Sequence, residues 1–180
     1  RLHSPPGNTA RPTPSRVRLA VMNMLAADLT GSRWLDLFCG SGVMGCEALQ
    51  HGAKAVVAVD QHRAMATTAK ANLELVAAGL SSTPVVQVIP QEVVRWLQQG
   101  RPSGMEPFDL IYADPPYAAG LYGAVTEAVA QGGWLNRGGL LLLECHSGDA
   151  HQLQELESPF WRLVKQKRYG TSSVLMLDAV

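Results

Sequence analysis

The residues best suited to chemistry form a short loop, Asp114-Pro115-Pro116-Tyr117. An exocyclic amine on a nucleobase is a poor nucleophile because its lone pair is delocalised into the ring. Asp114 and the carbonyl of Pro115 can each accept one amine hydrogen, since the prolines hold φ at about −65° and bring no competing N–H. Tyr117 can stack on the base. The loop therefore predicts methyl transfer to an amino nitrogen, catalysed by positioning and electrostatics, with a purely structural turn as the alternative.

Upstream of this loop lies a glycine-rich turn, Gly40-Ser41-Gly42-Val43-Met44-Gly45, which fits the pattern G-x-G-x-x-G. Asp60 follows near the spacing expected of a ribose-binding carboxylate, so a dinucleotide dehydrogenase is one interpretation. Asp36 favours another, because a carboxylate there would repel a pyrophosphate but suit the amino group of S-adenosylmethionine. We therefore predict that cofactor; the alternative for Asp36 is a hydrogen bond to its own turn. The predicted cofactor-binding residues are Asp36, Phe38, Cys39, Gly40, Ser41, Gly42, Asp60, Gln61, Glu92, Val93 and Asp114.

Two of these residues, Glu92 and Val93, follow the third predicted strand, where an adenine would lie. Glu92 could accept a hydrogen bond from the adenine amine while the Val93 N–H donates to the ring. Glu92 fits equally well as an acidic residue at a helix N-terminus. His62 and Arg63 could pack over the adenine or face solvent.

Alternating strands and helices must position these residues. Such alternation predicts a parallel sheet with helices on both faces, and the last two strands predict an antiparallel hairpin. Ligands in open sheets of this kind bind beyond the carboxyl ends of the strands, so Asp36, Asp60, Glu92 and Asp114 should face one crevice. The predicted strands are 34–38, 55–60, 85–89, 110–114, 140–145, 163–169 and 173–177, and the predicted helices are 14–28, 43–51, 61–78, 91–99, 120–131 and 149–157.

Composition predicts a single domain, since the chain has 180 residues, 47% of them hydrophobic and 17% charged. Within it, residues 1–13 read as an extended basic arm, 14–28 as a helix and 33–180 as the core. The net charge of +0 argues against general coating of polyanions. Two stretches, 1–27 and 158–177, are nevertheless basic and carry no acidic residue. They fit a specific nucleic-acid contact, or simply solvated faces.

The cysteines Cys39, Cys46 and Cys145 form neither a C-x-x-C pair nor an even disulfide set, which favours a reducing, cytoplasmic setting. The sequence shows no metal site, no membrane span and no membrane partner. The chain begins at Arg1 without a methionine, so we expect that native residues precede it.

With these motifs, the segments Arg11-Pro12-Thr13-Pro14-Ser15-Arg16-Val17-Arg18 and Tyr169-Gly170-Thr171 make the chain resemble the bacterial RsmD family almost end to end. Leu19 and Met22 depart from that family's usual glutamate and phenylalanine. The resemblance implies a Rossmann-like class I methyltransferase, a seven-stranded, mostly parallel sheet and S-adenosylmethionine as cofactor. It implies methylation of the N2 amine of a flipped-out guanine in a 16S rRNA hairpin loop, on the 30S subunit or an assembly intermediate, by a monomer. The implied catalytic residues are Asp114, Pro115, Pro116 and Tyr117, and the predicted RNA-binding residues are Arg11, Thr13, Arg16, Arg18, Lys167, Arg168 and Tyr169.

Other functions share parts of this pattern. An adenine-N6 methyltransferase on DNA or RNA would use the same acceptor loop, although the chain shows no separate target-recognition domain. A cofactor-binding scaffold or ribosome-assembly factor with vestigial activity is a further alternative, which an intact acceptor loop disfavours.

Overall fold

The computed structural model describes residues 2–4, 15–116, 120–150, 153 and 158–180. Helices and strands alternate along most of this length. In chain order they are α1 (Ser15–Met24), β1 (Arg33–Leu37), α2 (Val43–Gln50), β2 (Ala55–Val59), α3 (Arg63–Ala78), β3 (Val85–Ile89), α4 (Val93–Gln98), β4 (Phe108–Ala113), α5 (Gly120–Gln131), β5 (Leu135–His146), β6 (Trp161–Tyr169) and β7 (Ser172–Ala179).

The strands form one seven-stranded sheet in the order β3-β2-β1-β4-β5-β7-β6. The first five strands run parallel, and β7 runs antiparallel to both β5 and β6. The predicted mostly parallel sheet with a terminal antiparallel hairpin is therefore confirmed. The chain order reverses between β1 and β4, whose last residues Leu37 and Ala113 are paired. An open α/β sheet binds its ligand at such a reversal.

The core has two layers, one on each face of the sheet. The central strand β2 is covered on both faces, so its sequence is apolar throughout and every one of its residues is buried. Tryptophans fill both layers. Trp34 stacks near Tyr112 on one face, with ring centroids 6.0 Å apart, and Trp96 packs against Trp134 on the other. These layers hold the strand ends that carry the polar residues.

The observed elements differ from the predicted ones chiefly at their ends. β5 begins at Leu135 instead of 140, because a register shift lets Leu135 pair with Phe108 despite the glycines at 138 and 139. α1 ends at Met24 and continues as turns to residue 28. Most of the arm predicted over 1–13 and of the helix predicted over 149–157 lies outside the described residues.

Candidate active site

Three aspartates, Asp36, Asp60 and Asp114, lie near the carboxyl ends of β1, β2 and β4. Their charges interact, since Asp114 and Asp60 both raise the pKa of Asp36. These three carboxylates therefore lie close enough to interact, and the prediction that they and Glu92 face one crevice stays a prediction. We call this group, with the turn that follows β1, the acidic crevice.

Asp36 is the most deeply buried of the three, with 2% of its surface exposed. The N–H of Gly45 donates a hydrogen bond of 3.3 Å to its Oδ2 atom. Burial, opposed by this bond and reinforced by Asp114 and Asp60, raises the pKa of Asp36 to about 8. A carboxylate in such a setting favours a positively charged ligand, because a nearby cation restores the stabilisation that water would have given.

The glycine turn has a backbone that requires glycine. Gly40 and Gly42 have φ of +54° and +83°, in the left-handed region. A Cβ atom on Gly42 would lie 3.1 Å from the Cβ of Ala69, whereas one on Gly40 would meet nothing within 4 Å. A Cβ on Gly45 would lie 2.9 Å from Val56, so the third glycine lets α2 pack closely on the sheet. The space over Gly40 is thus free for a ligand to approach the backbone.

Asp60 stabilises this turn through hydrogen bonds to backbone N–H groups. Its Oδ2 atom accepts a hydrogen bond of 2.9 Å from the Gly40 N–H, and its Oδ1 atom accepts one of 2.9 Å from the His62 N–H. Each carboxylate oxygen has a second lone pair, so these bonds do not prevent contact with ribose hydroxyls. The sequence predicted only the ribose contact, and the bracing of the turn is visible only in the structure.

The other predicted cofactor residues around the turn have mixed surroundings. Phe38 has a positive φ of 57° and packs partly against the core. The Cys39 side chain is buried, burial raises the pKa of its thiol, and its N–H donates to the carbonyl of Val59. Ser41 is half-buried, and Gln61 is exposed beside α3. Any contact from Cys39 to a ligand would therefore come from its backbone.

Asn72, on α3, was not predicted from the sequence. It is fully buried, and its Nδ2 atom donates to the carbonyl of Ser41 at 2.9 Å. The same amide donates to the His3 carbonyl at 3.0 Å and accepts from the His3 N–H at 2.7 Å. Asn72 therefore ties both the turn and the segment 2–4 to α3. The signal in the sequence was an asparagine among the buried positions of an amphipathic helix.

Glu92 acts as the N-cap of α4. Its two oxygens accept hydrogen bonds from the N–H groups of Val94 and Arg95, at 3.0 and 2.7 Å. The helix-terminus interpretation is thus confirmed, and the adenine contact stays a prediction. The Val93 side chain is buried in the core, while its N–H occupies the first helical position, which has no intrahelical partner. His62 and Arg63 are exposed to solvent.

The acceptor loop leaves β4 at Asp114, which is half-buried; Pro115 is buried and Pro116 is exposed. Tyr117 lies outside the described residues. Burial raises the pKa of Asp114 to about 7, with a further contribution from the negative charge of Glu144. The loop thus presents a carboxyl group that titrates near neutral pH.

Glu144, on β5, is the second residue that was not predicted from the sequence. It has 5% of its surface exposed. The hydroxyl of Tyr112 donates to its Oε2 atom, and the hydroxyl of Tyr122 donates to its main-chain oxygen at 3.0 Å. Because Ala113 pairs with Leu143, Glu144 lies next to Asp114 in the parallel register. The available signal was one glutamate in the otherwise apolar run Leu140–Cys145.

Arg16 and Tyr169, two of the predicted RNA-binding residues, meet where α1 contacts the β6–β7 turn. Arg16 donates from Nη2 to the Tyr169 carbonyl at 3.4 Å, and the Tyr169 hydroxyl lies 3.6 Å from the sulfur of Met24. We call this surface the basic edge. Lys167 and Arg168 are exposed on it, whereas Arg18 is half-buried; Arg11 and Thr13 lie outside the described residues.

The two departures from the family pattern have different surroundings. Leu19 is 60% exposed and Met22 is 1% exposed. Met22 therefore fills the core position, and Leu19 contacts little of the protein.

No group of three or more histidine, cysteine, aspartate or glutamate side chains able to hold a metal ion occurs among the described residues. Within the same part of the chain, every helix is too short or too polar to cross a membrane.

Comparison with known proteins agrees with this geometry. A family model described as "Conserved hypothetical protein 95" matches residues 1–178. "Ribosomal RNA small subunit methyltransferase D" from Haemophilus influenzae is 30% identical over 164 residues, which are 91% of this chain and 80% of that protein. The chain belongs to the RsmD family.

Solved structures extend the RsmD-family match to the fold. The protein yhhF from Escherichia coli has a TM-score of 0.78 and 25% identity, with 94% of this chain and 88% of that chain covered. HI0767 from Haemophilus influenzae has a TM-score of 0.72 and 29% identity, over 92% of this chain and 98% of that one. The predicted Rossmann-like methyltransferase fold is confirmed.

Proposed function

We propose that this RsmD-family protein transfers a methyl group from S-adenosylmethionine to the exocyclic N2 amine of a guanine in a hairpin loop of 16S rRNA. The observation that carries the proposal is the acceptor-loop carboxylate Asp114, fixed at the end of β4 beside the end of β1 and its glycine turn. The RsmD-family relatives named as small-subunit ribosomal RNA methyltransferases support RNA as the substrate.

The residues of the turn suit the proposed cofactor. Asp36 would pair with its amino group, and the backbone of Gly40 and Gly42 would lie against it without side-chain obstruction. Asp60 would accept from the ribose hydroxyls and the Val93 N–H would donate to the adenine. When bound, the cofactor supplies a methyl group whose bond to sulfur breaks with the electron pair left on sulfur. The two carboxylates thus match the cofactor, since Asp36 would face its cationic amino group and Asp60 its ribose hydroxyls.

On the acceptor side, Asp114 and the carbonyl of Pro115 would hold the two hydrogens of the amine. This orientation would turn the nitrogen lone pair out of the ring plane and toward the methyl group, which is catalysis by positioning. The guanine must leave its stack, at a cost of a few kcal/mol that is smallest in a loop. Stacking on Tyr117 would return about 1 to 3 kcal/mol.

The exposed Lys167 and Arg168 of the basic edge would bind phosphates of the RNA backbone beside the target loop. Unpaired loops expose base edges that an A-form duplex hides, so contacts to backbone and loop together would select the site. The proposed partner is 16S rRNA within the 30S subunit or an assembly intermediate, bound by a monomer in the cytoplasm.

The test is methyl incorporation from labelled S-adenosylmethionine into undermethylated 30S particles, naked 16S rRNA and DNA, followed by mass spectrometry of the nucleosides. We expect N2-methylguanosine from RNA. N6-methyladenine would assign the acceptor loop to adenine instead. An absence of product from every substrate, with cofactor binding intact, would favour the scaffold function.

A further inference from the structure

Besides the residues that would contact the amine, the structure contains a buried acid to which the proposed reaction gives no part. Glu144 lies next to Asp114 in the register of β4 and β5. Its Oε2 atom accepts a hydrogen bond from the Tyr112 hydroxyl, and its main-chain oxygen accepts one from the Tyr122 hydroxyl. A buried carboxylate is costly unless it is paired or used. No lysine or arginine among the described residues is a source of the pKa shift of Asp114 or of Glu144.

We propose that Glu144, held by the Tyr112 hydroxyl, is a positioning residue that makes Asp114 the acceptor of the proton released from the substrate amine. The inference rests on the proposed function and deepens it. Glu144 would not touch the substrate. It would act through its negative charge on the neighbouring carboxylate.

The proton balance requires such an acceptor. When the amine nitrogen forms its bond to the methyl carbon, it gains a positive charge, and the bond to sulfur breaks with its electron pair. The nitrogen returns to neutrality by giving one proton to an Asp114 oxygen. That proton leaves to water after the product dissociates. No other reactant is consumed.

The hydrogen bonds decide which of the two carboxylates keeps its charge. Burial raises the pKa of Glu144 above its ordinary value, and the hydrogen bond that the Tyr112 hydroxyl donates to it opposes this rise. The hydroxyl stays protonated because burial and the neighbouring carboxylates hold the pKa of Tyr112 well above its usual range. For Asp114, burial and the charge of Glu144 act in the same direction, and both raise its pKa. Asp114 is therefore the member of the pair that binds the proton near neutral pH.

Besides Tyr112, three other groups interact with this pair. Asp36 on β1 interacts with Asp114, while Tyr122 on α5 and Cys145 on β5 interact with both carboxylates. The pKa values of the Tyr122 hydroxyl and the Cys145 thiol are raised by burial and by these negative charges, so both stay neutral at physiological pH. Of these neighbours, Asp36 is the one expected to titrate between pH 6 and 9, and saturation with cofactor removes its effect from the turnover rate.

The test is the pH dependence of turnover in Glu144→Gln at saturating cofactor and RNA. For the wild type, the rate should fall about tenfold per pH unit below 7, because only ionised Asp114 accepts the proton. In Glu144→Gln the acid limb should move at least one unit lower, so that the ratio of the rate at pH 6 to that at pH 8.5 rises from about 0.1 to about 0.5 or more. Glu127→Gln, at an exposed glutamate of α5, is the matched control and should keep the wild-type profile.

A second measurement needs no turnover. Carbon-13 NMR of the labelled carboxyl of Asp114 should show its pKa falling by one unit or more in Glu144→Gln. If that variant does not fold, Tyr112→Phe removes only the hydroxyl and should move both readouts in the same direction. An unchanged Asp114 titration and an unchanged rate profile would overturn the inference while methylation by the wild type still stands. A wild type that methylates no RNA would instead refute the proposed function.

Discussion

The acidic crevice and the basic edge differ in how they hold charge. In the crevice, carboxylates are buried and fixed by backbone N–H groups, as Asp60 is by Gly40 and His62. On the edge, Lys167 and Arg168 lie on an exposed strand. Burial strengthens electrostatic interactions and shifts pKa values, whereas exposed charge acts through screened, additive attraction. Substitutions in the crevice should therefore alter chemistry and pH dependence, and substitutions on the edge should alter affinity and salt dependence.

The largest effect is expected for Asp114→Ala. Without the acceptor for one amine hydrogen, turnover should fall by about 100- to 1000-fold. Cofactor affinity at pH 8 and above should change little, because Asp36 and Asp60 remain in place and Asp36 is then ionised with or without the charge of Asp114. Single-turnover kinetics and calorimetric cofactor binding measure the two quantities. The control Asp28→Ala alters an exposed aspartate and should behave as the wild type. Near-normal turnover in Asp114→Ala would remove this residue from the chemistry.

The next effect concerns Asp36, whose pKa is raised from 3.8 to about 8. A cationic amino group binds the ionised carboxylate, so binding below pH 8 releases a proton. Cofactor affinity should therefore rise up to about tenfold per pH unit from pH 6 and level off near 8. Asp36→Asn should bind weakly at every pH and lose the slope. Calorimetry in two buffers of different ionisation enthalpy counts the released proton.

The raised pKa of Asp36 also predicts how the stability of the cofactor-free protein depends on pH. High pH should favour cofactor binding but lower the free energy of unfolding. A raised pKa means that folding favours the neutral carboxyl, so this contribution is complete below pH 4 and is lost as the pH rises toward 8. Asp36→Asn should thus increase the melting temperature at pH 8 and barely change it at pH 4. A melting temperature that falls at pH 8 would show that the Asp36 carboxylate is needed for folding.

A smaller effect is expected on the basic edge. Lys167→Ala with Arg168→Ala should weaken RNA binding about tenfold at low salt. The slope of log affinity against log salt should shrink by about 0.7 for each RNA phosphate that the variant no longer neutralises. The matched control removes an ion pair at the other end of the same hairpin, Arg162→Ala with Asp178→Ala, whose charges already neutralise each other at 2.7 Å. Filter binding over a salt series measures both. Equal weakening in the two double variants would exclude a specific role for the basic edge.

The sheet could be predicted well because hydrophobic periodicity, and glycines that mark the turns between elements, are local features of the sequence. The strand 85–89 was predicted with its observed ends. β5 was predicted too short, because its first residues are held by a pairing to Phe108 that no local pattern reveals.

The site was less predictable for the same reason. Asp36 and Asp114 could be proposed from the sequence because each sits in a recognisable local motif. Glu144 and Asn72 were missed because their roles come from contacts with residues far along the chain, such as Tyr112 and Ser41. Glu92 fitted two roles equally until the positions of Val94 and Arg95 showed the helix cap. Glu144 is a polar side chain within an otherwise apolar run, and Asn72 is one among the buried positions of a helix, and these patterns could have indicated them as candidates.

The smallest effect tests whether the two regions are independent. Asn72 holds the Ser41 carbonyl of the crevice turn, and it also holds both main-chain groups of His3, in the segment that leads to the basic N-terminal residues. Asn72→Ala leaves these groups without their partner, at a cost of about 1 kcal/mol each or more in local order. We expect cofactor binding and RNA binding each to weaken about two- to fivefold.

The matched control for this variant is Asn23→Ala, which alters an exposed asparagine of α1. It should change neither affinity. Asn72→Ala is distinct from the other variants because none of those is expected to weaken the binding of both ligands, whereas it should. If cofactor binding alone weakens, the segment at His3 does not reach the RNA, and the two regions act separately. If RNA binding alone weakens, Asp60 is sufficient to hold the turn, and the burial of Asn72 serves the N-terminal segment.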